Sequence, residues 1–285
     1  MDLVAKTPSR RWRLVRSVCV GSVLAVLGLV GALWFSQERL IYPAPHYGER
    51  ALLSLPSGLI ALHDAKNSRS IVGFYRAPLE GGTPRKLWLT FGGNGDDALR
   101  WDGLVAPSVT RDTGFLMIEY PGYGARTGKP SPESILLGTE STVQALAQHL
   151  GTPTSELEAR TSVLGFSIGA AAALQYAARH PVQRIILFAP FTTMLDMARR
   201  VVGSPLCYLL SHRYDNLASL RAIQAKRQPP LNILHGSRDT FIPHEMGEEV
   251  ARAAPGSHFE LVPGADHGDV IDVGEARLRE LLAEP

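Results

Sequence analysis

The sequence predicts an α/β fold: a mostly parallel central sheet with helices on both faces, preceded by one N-terminal transmembrane helix. Three observations carry this. From about residue 86 onward, short apolar runs alternate with longer helical stretches, the pattern of βαβ units. Ser162–Leu174 (SVLGFSIGAAAAL) places G-x-S-x-G between an apolar run and an alanine-rich one, the strand–turn–helix setting of a nucleophile elbow. Residues 17–37 are apolar and carry no charge, and about 20 such residues of helix cross a hydrocarbon core of roughly 30 Å.

Composition narrows the function classes. The 285 residues are 45% apolar and 20% charged, enough for one large α/β domain with a sizeable core. The net charge is only +2, and lysine and arginine are not gathered on one aromatic-studded face, so nucleic acid is not expected as a partner. The two cysteines, Cys19 and Cys207, give no disulfide framework and no C-x-x-C metal pair.

Residues 1–16 carry Lys6, Arg10, Arg11, Arg13 and Arg16 against a single Asp2. This basic flank predicts a cytoplasmic N-terminus. The anchor over 17–37 ends in Trp34-Phe35, which suits the far interface, so the body is expected on the extracytoplasmic (periplasmic or lumenal) side. A cleaved signal peptide shares the basic start, but its apolar region is usually shorter, about 7–15 residues, and Val30-Gly31-Ala32 is an indifferent cleavage site. A buried helix of the soluble domain is the third reading, disfavoured because the run is apolar all round. Residues 38–49, with Pro43 and Pro45, read as a juxtamembrane linker, and 50–285 as the main domain.

Within that domain Ala51–Leu55, Leu59–Leu62 and Ile71–Tyr75 read as antiparallel edge strands. Lys86–Phe91 is a buried-type strand running into Gly92-Gly93-Asn94-Gly95. Asp96 or Asp97 can cap a helix over about 97–108. Gly114–Glu119 is the next strand, then a helix from about Pro132 to Leu150. Strand 162–166 leads through the elbow into helix 168–179, stopped by His180-Pro181. Arg184–Ala189 and Leu231–His235 are strands, 244–254 a helix, Phe259–Val262 the last strand and Val270–Ala283 the last helix. Residues 192–225, bearing Met194, Met197, Val201 and Leu206, read as a small lid-like segment that shapes an acyl pocket, faces a bilayer or simply packs on the sheet.

In such sheets sites lie at the carboxyl ends of strands. Ser167 stands at one, on a turn where Gly165 and Gly169 leave room for close helix–strand packing. Asp239 follows LNILH in the loop GSRDTFIP and reads either as a turn residue or as the carboxylate a catalytic histidine needs. His267 lies in the glycine-flanked loop GADHGD past the last strand. Its rivals His235, His244 and His258 fall on a strand or at element starts. The order Ser167, Asp239, His267 is the chain order of one triad lineage. The glycine loop stands where half an oxyanion hole belongs, with one donor from the Ile168 N–H and another from Gly93 or Asn94. A nucleotide loop is disfavoured, since neither G-x-G-x-x-G opening a helix nor G-K-[ST] occurs.

On these residues the chain resembles the α/β-hydrolase superfamily from about residue 50 to the end. Within it, the membrane-anchored Bem46/ABHD13-like group looks most similar, through the anchor followed by QERLIYPAP, FGGNGDD, EYPGYG, GFSIG, LHGSRDTFIP and GADHGD. The resemblance implies Ser167 as nucleophile, Asp239 as acid and His267 as base, with an oxyanion hole from the 92–94 loop and Ile168. One departure is Phe91-Gly92-Gly93-Asn94 in place of the group's usual His-Gly-Asn. The expected chemistry is serine-hydrolase cleavage of an ester, thioester or related acyl bond on a small-molecule or lipid-like substrate. It requires no cofactor and no metal. A peptidase of the same fold and a non-catalytic scaffold are the alternatives.

Overall fold

The computed structural model describes residues 10–48, 52–65 and 67–284. Lys6, Asp2 and Ala51, used above, lie outside the described residues. Eight strands form one sheet: β1 (Leu59–Asp64), β2 (Asn67–Arg76), β3 (Lys86–Phe91), β4 (Thr113–Ile118), β5 (Thr161–Phe166), β6 (Ile185–Phe188), β7 (Leu231–Gly236) and β8 (His258–Val262). Their order is β1-β2-β4-β3-β5-β6-β7-β8. The β1–β2 and β2–β4 pairs are antiparallel; every later pair is parallel.

The helices, in chain order, are α1 (Arg10–Ile41), α2 (Arg100–Val105), α3 (Pro132–Leu150), α4 (Thr154–Glu158), α5 (Ile168–Arg179), α6 (Met194–Val202), α7 (Asn216–Gln224), α8 (His244–Arg252), α9 (Val270–Val273) and α10 (Glu275–Ala283). The inner strands β3–β7 are buried and mostly apolar on both faces, as strands covered on both sides must be. Successive side chains alternate between two cores. Leu87, Leu89, Phe91, Val163, Ile185 and Ile233 meet α3, α5, α7 and α8 on one side. Trp88, Leu164, Ile186, Phe188 and Leu234 meet α2 and α10 on the other.

Most boundaries fall within a residue or two of expectation; the differences have local causes. Leu52 and Leu53, expected in a strand, lie in a helical turn. The helix expected over 97–108 is shortened to α2 and a 3-10 turn, Ala106–Ser108, that carries Pro107. Asp97 accepts the Arg100 N–H at 2.9 Å, whereas Asp96 turns back to the glycine loop. The last helix breaks at Gly274 into α9 and α10. The lid-like segment divides: α6 and the 3-10 turn Leu206–Leu209 lie over the strand ends, while α7 buries Leu220 and Ile223 against the core.

Helix α1 is the one candidate membrane span among the described residues, and none of its apolar stretch is buried. At 1.5 Å per residue its 32 residues exceed a roughly 30 Å hydrocarbon core. Within the segment expected as a juxtamembrane linker, several residues contact the domain. The helix runs on to Ile41, Tyr42 is buried, the Gly124 N–H donates to the Pro45 carbonyl at 2.8 Å, and the Tyr47 hydroxyl donates to Glu119.

The elbow depends on close approach of α5 to β3 and β5. A Cβ on Gly169 would stand 2.1 Å from the Phe91 carbonyl oxygen, and one on Gly165 would stand 2.4 Å from that of Gly169. Both neighbours are backbone and cannot swing away. Gly169→Ala is therefore expected to cost about 3 kcal/mol and to lower the melting temperature by roughly 5–10 °C in calorimetry.

Burial pushes the Glu119 carboxyl up to about 7, against hydrogen bonds from Tyr47 and the Ala98 N–H that favour the ionised form. An acid whose folded pKa is raised binds more protons folded than unfolded, so stability falls as pH rises from the ordinary carboxyl range through about 7. Thermal melts of the chain at pH 5 and pH 8 should therefore differ less in Glu119→Gln than in the wild type. An identical pH dependence in the two would refute this assignment.

Candidate active site

Ser167 follows the last residue of β5 and precedes α5. Its backbone is at φ 56°, ψ −119°, a region non-glycine residues enter only when their surroundings hold them there. Its N–H donates to the Phe188 carbonyl on β6 at 2.9 Å. The strained turn points the side chain off the sheet, and the residue is 5% exposed.

His267 and Asp239 reach Ser167 from two other loops. His267 Nδ1 lies 2.7 Å from Asp239 Oδ2, and His267 Nε2 lies 3.1 Å from Ser167 Oγ. A carboxylate only accepts, so Nδ1 carries the proton; in the neutral ring Nε2 is then free to accept the serine hydroxyl. The GADHGD loop is braced by its own aspartates. Asp266 accepts the Gly268 N–H, and Asp269 accepts the Asp266 N–H, each at 2.7 Å.

Asp239 is buried but well satisfied. Its Oδ1 accepts the Phe241 and Ile242 N–H groups at 3.0 and 2.8 Å. Burial alone would raise its carboxyl. The polar contact of His235, the hydrogen bond and charge of His267, and the Ile242 N–H outweigh burial and hold it well below the usual carboxylate range.

His235, set aside in the sequence as a strand residue, belongs to this group. It is fully buried, its Nε2–H donates to the Ile242 carbonyl at 2.9 Å, and the same nitrogen lies 3.5 Å from Asp239 Oδ2. Its position four residues before Asp239 was the available signal. His244 and His258, the other rivals, are not brought to Ser167; His244 faces Glu245 and Glu248.

The glycine loop meets the start of α5. The Gly93 N–H is taken by Asp96 Oδ2 at 2.9 Å. Asn94 lines the cavity above Ser167 together with Ile168. As the first residue of its helix, Ile168 has an N–H with no intrahelical acceptor, at the end where the helix dipole favours negative charge. The Tyr120 and Tyr123 hydroxyls donate to the Gly92 and Asn94 carbonyls, both at 2.8 Å, and so pin the loop. Nothing in the motif EYPGYG itself signals this role. Phe166 and Phe241, which no motif marks, also belong to the site: their rings each lie 5.0 Å from the His267 ring.

A cavity of about 210 Å³ opens over Ser167. Its walls are mostly apolar, with Phe191, Ile242, Met194, Met197 and Leu206 among the lining residues. Among the described residues no group of three or more His, Cys, Asp or Glu is placed to hold a metal.

No family model matches the chain. It is 27% identical over 259 residues to the uncharacterized protein Rv2307c of Mycobacterium tuberculosis, spanning 89% of each chain. It is 25% identical over 169 residues to the alpha/beta hydrolase domain-containing protein 17B of Homo sapiens, spanning 58% of this chain and 55% of that one. Among solved structures, the Pyrococcus furiosus esterase Pf2001 superposes with a TM-score of 0.62 at 18% identity, over 85% of this chain and 96% of that one. Strand order, elbow and superposition agree that the chain adopts the α/β-hydrolase fold.

Proposed function

We propose that the protein is a membrane-anchored serine hydrolase that cleaves a carboxylic ester or thioester, related to the Bem46/ABHD13-like group. The observation that carries this is the chain of contacts from Asp239 through His267 to Ser167, at 2.7 and 3.1 Å, on a strained elbow. The Pyrococcus furiosus neighbour is an esterase, which supports the same class. The basic residues Arg10, Arg11, Arg13 and Arg16 before the span put the N-terminus in the cytoplasm and the catalytic domain on the extracytoplasmic side.

In this mechanism Ser167 Oγ attacks the acyl carbon while His267 Nε2 takes its proton. The carbonyl oxygen becomes an oxyanion that accepts the Ile168 N–H and the N–H of the 92–94 loop. Because Asp96 occupies the Gly93 donor, Asn94 supplies the second hydrogen bond. The tetrahedral intermediate expels the alcohol or thiol, which receives the proton from His267, and leaves an acyl-serine. Water, deprotonated by His267, then attacks the acyl carbon and releases the carboxylic acid, returning the proton to Ser167. Asp239 stays ionised throughout, fixing the ring and stabilising the imidazolium.

Fluorophosphonate labelling of membrane fractions tests the reading. Wild type should label and Ser167→Ala should not. Hydrolysis by Ser167→Ala should fall by at least about 10⁴, and by Asp239→Asn roughly 10⁴. A folded wild type that fails to label favours the scaffold reading. Because Asp239 is held well below the usual carboxylate range, it adds no protonation step at moderately acid pH, and kcat/KM should fall there with a slope no steeper than one. A slope of two would show that Asp239 titrates as well.

A further inference from the structure

The cavity over Ser167 is not built by the hydrolase domain alone. Leu33, Gln37, Leu40 and Ile41 of the anchor helix line it. They are spaced i, i+4, i+7 and i+8, one face of a helix. Opposite them, α6 presents Met194, Met197, Ala198, Val201 and Val202 at the same spacing plus i+3. Two helix faces, apolar but for Gln37, thus line one space together with Ser167.

The helix is fixed there by polar contacts as well. Gln37 Nε2 donates to the Leu209 carbonyl at 3.1 Å, and Gln37 Oε1 accepts the Ser211 N–H at 2.7 Å and the Ser211 hydroxyl at 3.0 Å. One turn on, buried Tyr42 packs edge-on against His212 at 5.5 Å. These contacts set the direction in which the anchor leaves the domain, and therefore which side of the cavity faces the bilayer.

That side is open and apolar. Leu40 is 67% exposed and Val201 70%, although both line the cavity, and Tyr208 and Phe35 nearby in the chain are also exposed. Their exposed surface continues the unburied surface of α1. Exposed Arg39 and Arg200 adjoin Leu40 and Val201, as cations do where a protein meets lipid headgroups.

We infer that the anchor helix is one wall of the substrate site, and that the substrate is a long-chain acyl lipid ester drawn sideways from the bilayer between α1 and α6. The acyl chain lies in the cavity against Leu33, Leu40, Met194 and Val201, with its ester at Ser167. The polar headgroup stays at the rim. This rests on the serine-hydrolase reading and names the substrate class of that site.

The test uses the full chain reconstituted in phosphatidylcholine vesicles. The probe is a long-chain alkyl fluorophosphonate with a photoreactive diazirine partway along the chain. After reaction and illumination, peptide mapping should place its phosphonate on Ser167 and its diazirine crosslinks within 33–41 and 194–210. Crosslinks confined to other segments overturn the inference. No adduct on Ser167 overturns the hydrolase reading, and this inference with it.

Two variants give a second readout. Gln37→Ala frees the helix from the lid, and Leu40→Trp fills the opening. In each, the ratio of kcat/KM for a vesicle-borne long-chain ester to that for a soluble short-chain ester should fall at least about tenfold. Folding is checked by fluorophosphonate labelling of the variants. An unchanged ratio in labelled Leu40→Trp overturns the inference and leaves the serine-hydrolase reading standing.

Discussion

The backbone of Ser167 is the constraint on which the site depends. At φ 56°, ψ −119° it sits in a conformation that costs on the order of 1–3 kcal/mol for a residue with a Cβ. Nothing in the serine itself favours that turn. It is held by the Phe188 carbonyl on one side and on the other by helix α5, packed so close to β3 that only glycine fits at 169. The sheet order puts β5 between β3 and β6, so the loops that follow those strands flank the serine. The glycine loop after β3 and the start of α5 then converge on one point above it.

The second constraint is electrostatic. A buried carboxylate is costly unless its oxygens are satisfied. Asp239 meets that condition with two backbone N–H groups, the His267 ring and the nearby His235. The same bonds that keep it ionised also aim it, because the Phe241 and Ile242 amides hold one oxygen and leave the other for His267. The two tyrosines do comparable work for the glycine loop. A flexible glycine run would carry its N–H groups in many directions; Tyr120 and Tyr123 hold its carbonyls and so hold the amides.

Much of this was legible in the sequence, for identifiable reasons. Strands β3 and β5 and helix α5 announce themselves by apolar runs, and helix α3 by a long segment between Pro132 and Gly151; their ends agree with the structure to within a residue. Ser167, Asp239 and His267 stood out because each follows a strand in a glycine-bearing loop. Most of the unread parts depend on contacts between distant segments. His235 is the exception: its partners are four and seven residues away, but a strand residue gives no sign of which loop group its ring will meet. Tyr120 and Tyr123 meet carbonyls about thirty residues away. Apolar residues recur along the whole of 192–225, so nothing in the sequence separates α7, which belongs to the core, from the rest of the lid-like segment. The docked face of α1 was hidden because a helix apolar all round shows no preferred side.

That last point changes what the N-terminal helix is. A tether needs only length and apolarity, and an extended linker after it would let the domain turn freely over the membrane. Here the helix continues past the expected interface, Gln37 grips the lid, and Tyr42, Pro45 and Tyr47 lock the following chain to the domain. If the helix spans a bilayer as proposed, these contacts fix how the domain sits over it. A soluble ester gains nothing from such an arrangement, since it reaches an open cleft from any direction. A lipid already inserted in the leaflet gains a great deal. Its chain moves from one apolar surrounding to another without crossing water, and its local concentration at the opening is set by the bilayer rather than by solution. The exposed Leu40 and Val201 are unfavourable in water and cost nothing where acyl chains cover them. The features that would be liabilities in a soluble enzyme thus become consistent with one another once the opening lies against the membrane.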